Sequence, residues 1–87
     1  MKTTIKELPD RFTGKGEVKG MEFTLQIANP RAFVYMVDND GSKHFEVFLR
    51  KIDKRFGQVS YPRSKAFGVW AWTAYTHERA MARFNSL

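Results

Sequence analysis

Two β-rich runs, Arg-Ala-Phe-Val-Tyr-Met-Val from Arg31 and Ser-Lys-His-Phe-Glu-Val-Phe-Leu-Arg-Lys from Ser42, flank the tetrad Asp38-Asn39-Asp40-Gly41. Aromatic and β-branched runs on either side of a Gly-containing turn specify an antiparallel hairpin, and that hairpin fixes the fold class. The tetrad suits a type I turn followed by Gly41 in the left-handed region, a three-residue loop with a bulge. This register sets Tyr35 opposite Phe45 and Phe33 opposite Val47, so the odd-numbered side chains of both strands share a face. A two-residue loop would instead place Val34 and Met36 with Phe45 and Val47, because a slip of one residue exchanges the faces. The first register is preferred because it gathers the larger aromatics into one layer.

The neighbouring segments extend the hairpin into a meander. Met21, Phe23, Leu25 and Ile27 alternate with Glu22, Thr24 and Gln26, the pattern of a strand over 17–28 with one wet side. Gly14, Gly16 and Gly20 permit a bend or bulge near its start. Asn29-Pro30 then turns the chain back into residues 32–38. Downstream, Ala66-Phe67-Gly68-Val69-Trp70-Ala71-Trp72 reads as a fourth strand in which Trp70 and Trp72 share a face. Both indoles are core, against Met81 and Phe84, if a helix covers that face; otherwise they form an exposed aromatic patch.

Thr76 is placed as an N-cap and Glu78 in the first turn suits the helix dipole. Ala80, Met81, Phe84 and Leu87 recur at helical spacing, which predicts an amphipathic helix over 77–86. Residues 1–14 show no sustained period and are expected to be an irregular arm that pins Leu8 and Phe12 onto the body. The predicted architecture is therefore α+β over 15–87: a four-stranded antiparallel meander, order ββββα, with the C-terminal helix packed on one face.

Eighty-seven residues make one domain, and a chain of this length buries only about 60–65% of its unfolded surface, so the core is small. The absence of cysteine excludes a disulfide frame, a thiolate metal site and thiol catalysis. The charged N-terminal stretch lacks the apolar run of a signal peptide and no window approaches a membrane span, so a cytoplasmic location is expected. His44 and His77 have no second ligand at metal spacing, and Asp38 and Asp40 are explained by their own turn. The serines lack a nucleophile elbow, and Gly14-Lys15-Gly16 is too short to cradle a phosphate ahead of a helix. A non-enzymatic protein without cofactor or metal is the expectation.

Charge supplies the positive signal. The chain carries a net +6, and residues 50–65 hold Arg50, Lys51, Lys54, Arg55, Arg63 and Lys65 against Asp53 alone. Aromatic residues interleave with these cations at Phe48, Phe56 and Tyr61. Single-stranded nucleic acid is bound in this way, its bases stacking on flat rings while Lys and Arg follow the phosphates. The ββββα order is also similar to that of the Whirly-like single-stranded-DNA-binding proteins, whose curved sheets usually work as dimers. The likeness is one of topology and transfers no residue. The leading expectation is a small bacterial- or phage-type module binding single-stranded DNA or RNA through those nine residues. The alternative is a protein-interaction or homodimeric assembly module, in which an edge strand pairs with a second copy or the tryptophans fill a partner's groove. The nucleic-acid reading requires that the cations converge on a shared concave surface.

Overall fold

The computed structural model describes residues 5–87. In chain order the elements are β1 (Arg11–Thr13), β2 (Glu22–Ala28), β3 (Ala32–Asn39), β4 (Ser42–Leu49), β5 (Ile52–Asp53), β6 (Gln58–Val59), β7 (Ala71–Ala74) and α1 (His77–Ser86). Short 3-10 turns occupy Gly16–Val18 and Ser64–Ala66. Five strands form one antiparallel sheet in the order β1-β2-β3-β4-β7, while β5 and β6 make a separate two-stranded ribbon. The α+β class and the C-terminal helix are as expected. The sheet has one strand more than expected, because the N-terminal segment supplies β1; residues 1–4 of the expected arm lie outside the described residues.

The hairpin forms with the tighter of the two turns. Asn39 pairs with Ser42, and the two loop residues Asp40 and Gly41 have φ of 53° and 90°, the left-handed pair of a type I′ turn. Its twist matches that of the flanking strands, and an Asp38 carboxylate oxygen accepts a hydrogen bond from the Gly41 N–H at 2.8 Å. The expected three-residue loop is thereby corrected, and with it the register. Phe33 lies opposite Phe48, Val34 opposite Val47, Tyr35 opposite Glu46 and Met36 opposite Phe45. The large rings still gather on one face, but Phe48 joins them and Phe45 does not.

Two further boundaries differ from expectation. In β2 the irregularity lies between Leu25 and Ile27 rather than near the strand's start, so Phe23 pairs with Val37 while Ile27, beyond the bulge, pairs with Val34 on the opposite face. The fourth meander strand begins at Ala71, not at residue 66. Ahead of it the Val69 and Trp70 N–H groups both donate to the Ala66 carbonyl, at 3.0 and 2.9 Å, and the Gly68 N–H donates to Ala71 at 2.7 Å. Backbone groups spent on a local turn are lost to a sheet ladder. The tryptophans consequently separate: Trp70 packs against the aromatic cluster, whereas Trp72 lies opposite Val47 on the helix side.

Each sheet face carries its own core. Phe23, Phe33, Tyr35, Val37 and Phe48 form one, covered by Ile5, Leu8 and Phe12 from the N-terminal segment and by Val59, Tyr61 and Trp70 from the later loops. Ala32, Val34 and Val47 form the other, covered by Ala80 and Phe84 of α1. The helix starts as expected, with the Thr76 hydroxyl oxygen accepting from the Arg79 N–H at 3.1 Å.

Two glycines test this packing. At Gly41 an added methyl has open space around it, so Gly41→Ala strains only the left-handed backbone and should cost about 1–2 kcal/mol in urea unfolding. At Gly14 an added Cβ would lie 2.2 Å from the Val18 carbonyl oxygen and 2.9 Å from the Phe23 ring, so Gly14→Ala should be the more destabilising of the two.

Candidate nucleic-acid interface

The register set by the type I′ turn directs Glu46 of β4 to the aromatic side of the sheet, between Tyr35 of β3 and Thr73 of β7. There it is 6% exposed. A buried carboxylate is tolerated only when it is hydrogen-bonded. One oxygen lies 3.0 Å from the His44 Nε2, and the other accepts a hydrogen bond from the Tyr61 hydroxyl at 3.0 Å. Tyr61 arrives from the loop after β6, and its ring meets Phe12, Phe23 and Phe48 edge-on at centroid distances of 5.8, 4.8 and 5.4 Å. This single residue ties the basic segment onto the sheet by both packing and a charge-assisted bond.

A second set of contacts fastens the same segment to the N-terminal residues. The Lys6 N–H donates to Gly57 at 2.9 Å, and the Val59 N–H donates to Lys6 at 2.8 Å. Arg50 binds both oxygens of Glu7, its Nε at 3.2 Å from one and its Nη2 close to the other, and this hydrogen bonding holds the Glu7 carboxyl below the usual carboxylate range. Tyr35, beneath them, donates its hydroxyl to the Pro9 carbonyl at 2.7 Å.

Between these two anchored segments opens a cleft of about 1200 Å³. Lys15 comes from the N-terminal side and Arg55, Arg63 and Lys65 from the loop, while Glu46, Tyr61 and Trp70 also line it. Of the six cations singled out in the sequence, the fold thus brings three together and adds Lys15 as a fourth. Arg50 is committed to Glu7. Lys51 stands 5.6 Å from the centroid of the Trp70 ring, and neither it nor Lys54 lines the cleft. Arg55 shares its charge with Asp53 at 3.6 Å.

The expected stacking rings need correction. Phe48 is fully buried in the aromatic core and has no face to offer a base. Tyr61 is largely enclosed by three phenylalanines and its hydroxyl is engaged by Glu46, so it forms cleft wall rather than an open platform. Phe56 is 69% exposed with Arg55 5.4 Å from its ring centre, but it lies outside the cleft lining. Trp70, which reading as a strand residue kept out of the expected site, supplies an aromatic side chain in the cleft. Glu46 was missed as well, although a lone carboxylate inside the apolar run of β4 is a visible signal.

Among the described residues no cluster of three or more His, Asp or Glu side chains could hold a metal ion, and no helix is long and apolar enough to cross a membrane. No family model, curated protein or solved structure matches the chain. The Whirly-like resemblance was drawn from a four-stranded order, and the five-stranded sheet with its separate ribbon departs from that order.

Removing the Tyr61 hydroxyl by Tyr61→Phe leaves a buried carboxylate one donor short, which should lower stability by about 1.5–3 kcal/mol at neutral pH in urea unfolding. The phenols also set an alkaline limit. Burial, reinforced by Asp10, pushes Tyr35 from 10.0 up to about 12, and burial followed by the Glu46 charge pushes Tyr61 upward as well. Both are protonated in the folded state, so their contribution is intact below pH 10; that of Tyr35 is lost as pH rises from there through about 12, and that of Tyr61, raised as well, declines over the same range, because the unfolded chain binds fewer protons there. Urea midpoints measured across that window should fall steeply, and less steeply in Tyr61→Phe.

Proposed function

We propose that this protein is a non-enzymatic module that binds single-stranded nucleic acid in the cleft between its N-terminal segment and the basic loop. The observation that carries this reading is the convergence of Lys15, Arg55, Arg63 and Lys65 around one concavity that also contains Trp70. Four cations on the walls of one cleft raise the local positive potential and attract a polyanion. Trp70, half-buried against the aromatic cluster, adds aromatic surface to the cleft wall, and contact of a base with such a ring is worth up to about 1–3 kcal/mol. A single strand fits the chemistry better than a duplex, because its bases are free to enter a cleft and a duplex presents only its backbone and groove edges.

The sheet edges favour this reading over strand-paired assembly. β1 has three residues and β7 four, so each end of the sheet offers a second copy only a short ladder.

Fluorescence anisotropy with single-stranded oligonucleotides at several salt concentrations tests the proposal. Affinity should fall linearly with log salt, and Arg63→Gln or Lys65→Gln should each reduce the slope by about 0.7. Lys54→Gln, outside the cleft, should leave the slope unchanged. Absence of binding at low salt, or equal effects of all three substitutions, would contradict the assignment.

A further inference from the structure

On the opposite side of β7 from the cleft lies a second concavity, a groove of about 430 Å³ between β7 and α1. Arg79 and Arg83, one helical turn apart, line it together with Trp72 and Tyr75. Arg83 stands 4.8 Å from the centroid of the Trp72 ring. Tyr75 is 77% exposed, the most of any large apolar or aromatic side chain among the described residues. No carboxylate lines the groove, and among the described residues neither arginine is in an ion pair. Two unneutralised guanidinium groups beside an open phenol ring are the same chemistry as the cleft, with the acidic floor removed.

The two concavities meet. Phe67 and Thr73 line both, and β7 is the edge strand of the sheet, so no further strand separates the cleft from the groove. Resting on the nucleic-acid reading of the cleft, we infer that a bound single strand continues over the β7 edge at Phe67 and Thr73 into the groove, where Arg79 and Arg83 hold its phosphates and Tyr75 receives a base. The binding track is then a single path of six cations on both sides of one strand, rather than one pocket. Charge complementarity selects the occupant: a flexible polyanion can follow a path that turns over an edge, and rigid duplex cannot.

A track of two parts responds to oligonucleotide length. Short strands of about 4 nucleotides are accommodated by the cleft alone, whereas strands of about 12 engage both parts. Anisotropy titrations of the whole protein with both lengths, at matched salt series, distinguish the two. With the long strand the double variant Arg79→Gln/Arg83→Gln should reduce the salt slope by about 1.4, and Arg79→Gln alone by about 0.7. With the short strand neither should change slope or affinity. Because Arg83 packs on Trp72, the single Arg79→Gln variant serves as the one whose folding is undisturbed, verified by its thermal melt.

If the arginine variants bind the long strand as the unaltered protein does, while Arg63→Gln weakens both lengths, the track is overturned and the cleft reading stands. An equal loss at both lengths also overturns the track, since the arginines would then act on the cleft by field alone. If the unaltered protein binds neither length at low salt, the cleft reading fails and the track with it.

Discussion

Nearly every later feature of this molecule depends on the left-handed backbone at Asp40 and Gly41. Two residues with positive φ close the hairpin as a type I′ turn and pair Asn39 with Ser42. From that point the register admits no choice, and side-chain alternation carries Phe48 and Glu46 to the same face as Phe33 and Tyr35. Had the loop held one more residue, Glu46 would have faced the helix and Val47 the aromatic cluster. The helix side is closed by Ala80 and Phe84, which offer a carboxylate no partner.

The placement of Glu46 in turn organises the other half of the chain. A carboxylate beneath a loop requires donors, and Tyr61 and His44 provide them. Tyr61 is also the ring that closes the aromatic cluster against Phe12, Phe23 and Phe48, so the bond and the packing hold the loop in the same position. With the loop held there, and the N-terminal segment bonded to it through Lys6, Arg50 and Glu7, the cleft follows as the space between two fixed walls. Arg50 illustrates how charge divides between tasks: the first cation of the basic segment is spent on anchoring that segment, which leaves Arg55, Arg63 and Lys65 to face the cleft.

The α+β class, the antiparallel meander, the Asn29-Pro30 reversal and the capped helix were legible because each is written in local pattern: alternation, a turn residue, a hydroxyl ahead of an apolar stripe. The register of the hairpin was not, since Asp38-Asn39-Asp40-Gly41 is compatible with turns of two and three residues and only the twist of the assembled strands decides between them. The run from Ala66 to Trp72 has the composition of a strand, yet Gly68 at φ 87° and the hydrogen bonds to Ala66 turn it into a loop, which separates the tryptophans. Composition located the basic segment and three of its cleft residues, but it could not distinguish a cation facing a cleft from one paired with a carboxylate 43 residues away. Lys15 was invisible for the same reason, being distant in sequence from every residue it joins. Phe48 and Tyr61 were singled out by their basic neighbours, whereas their roles are set by the sheet face beneath them.

Amide chemical-shift mapping during titration with a short single-stranded oligonucleotide tests whether the loop carrying Tyr61, held over the sheet, forms a nucleic-acid cleft with the N-terminal segment. Saturable shifts should concentrate at Lys15, Arg55, Arg63, Lys65 and Trp70, with Phe48 and Lys54 unmoved. Shifts confined to other surfaces, or none at low salt, would contradict it.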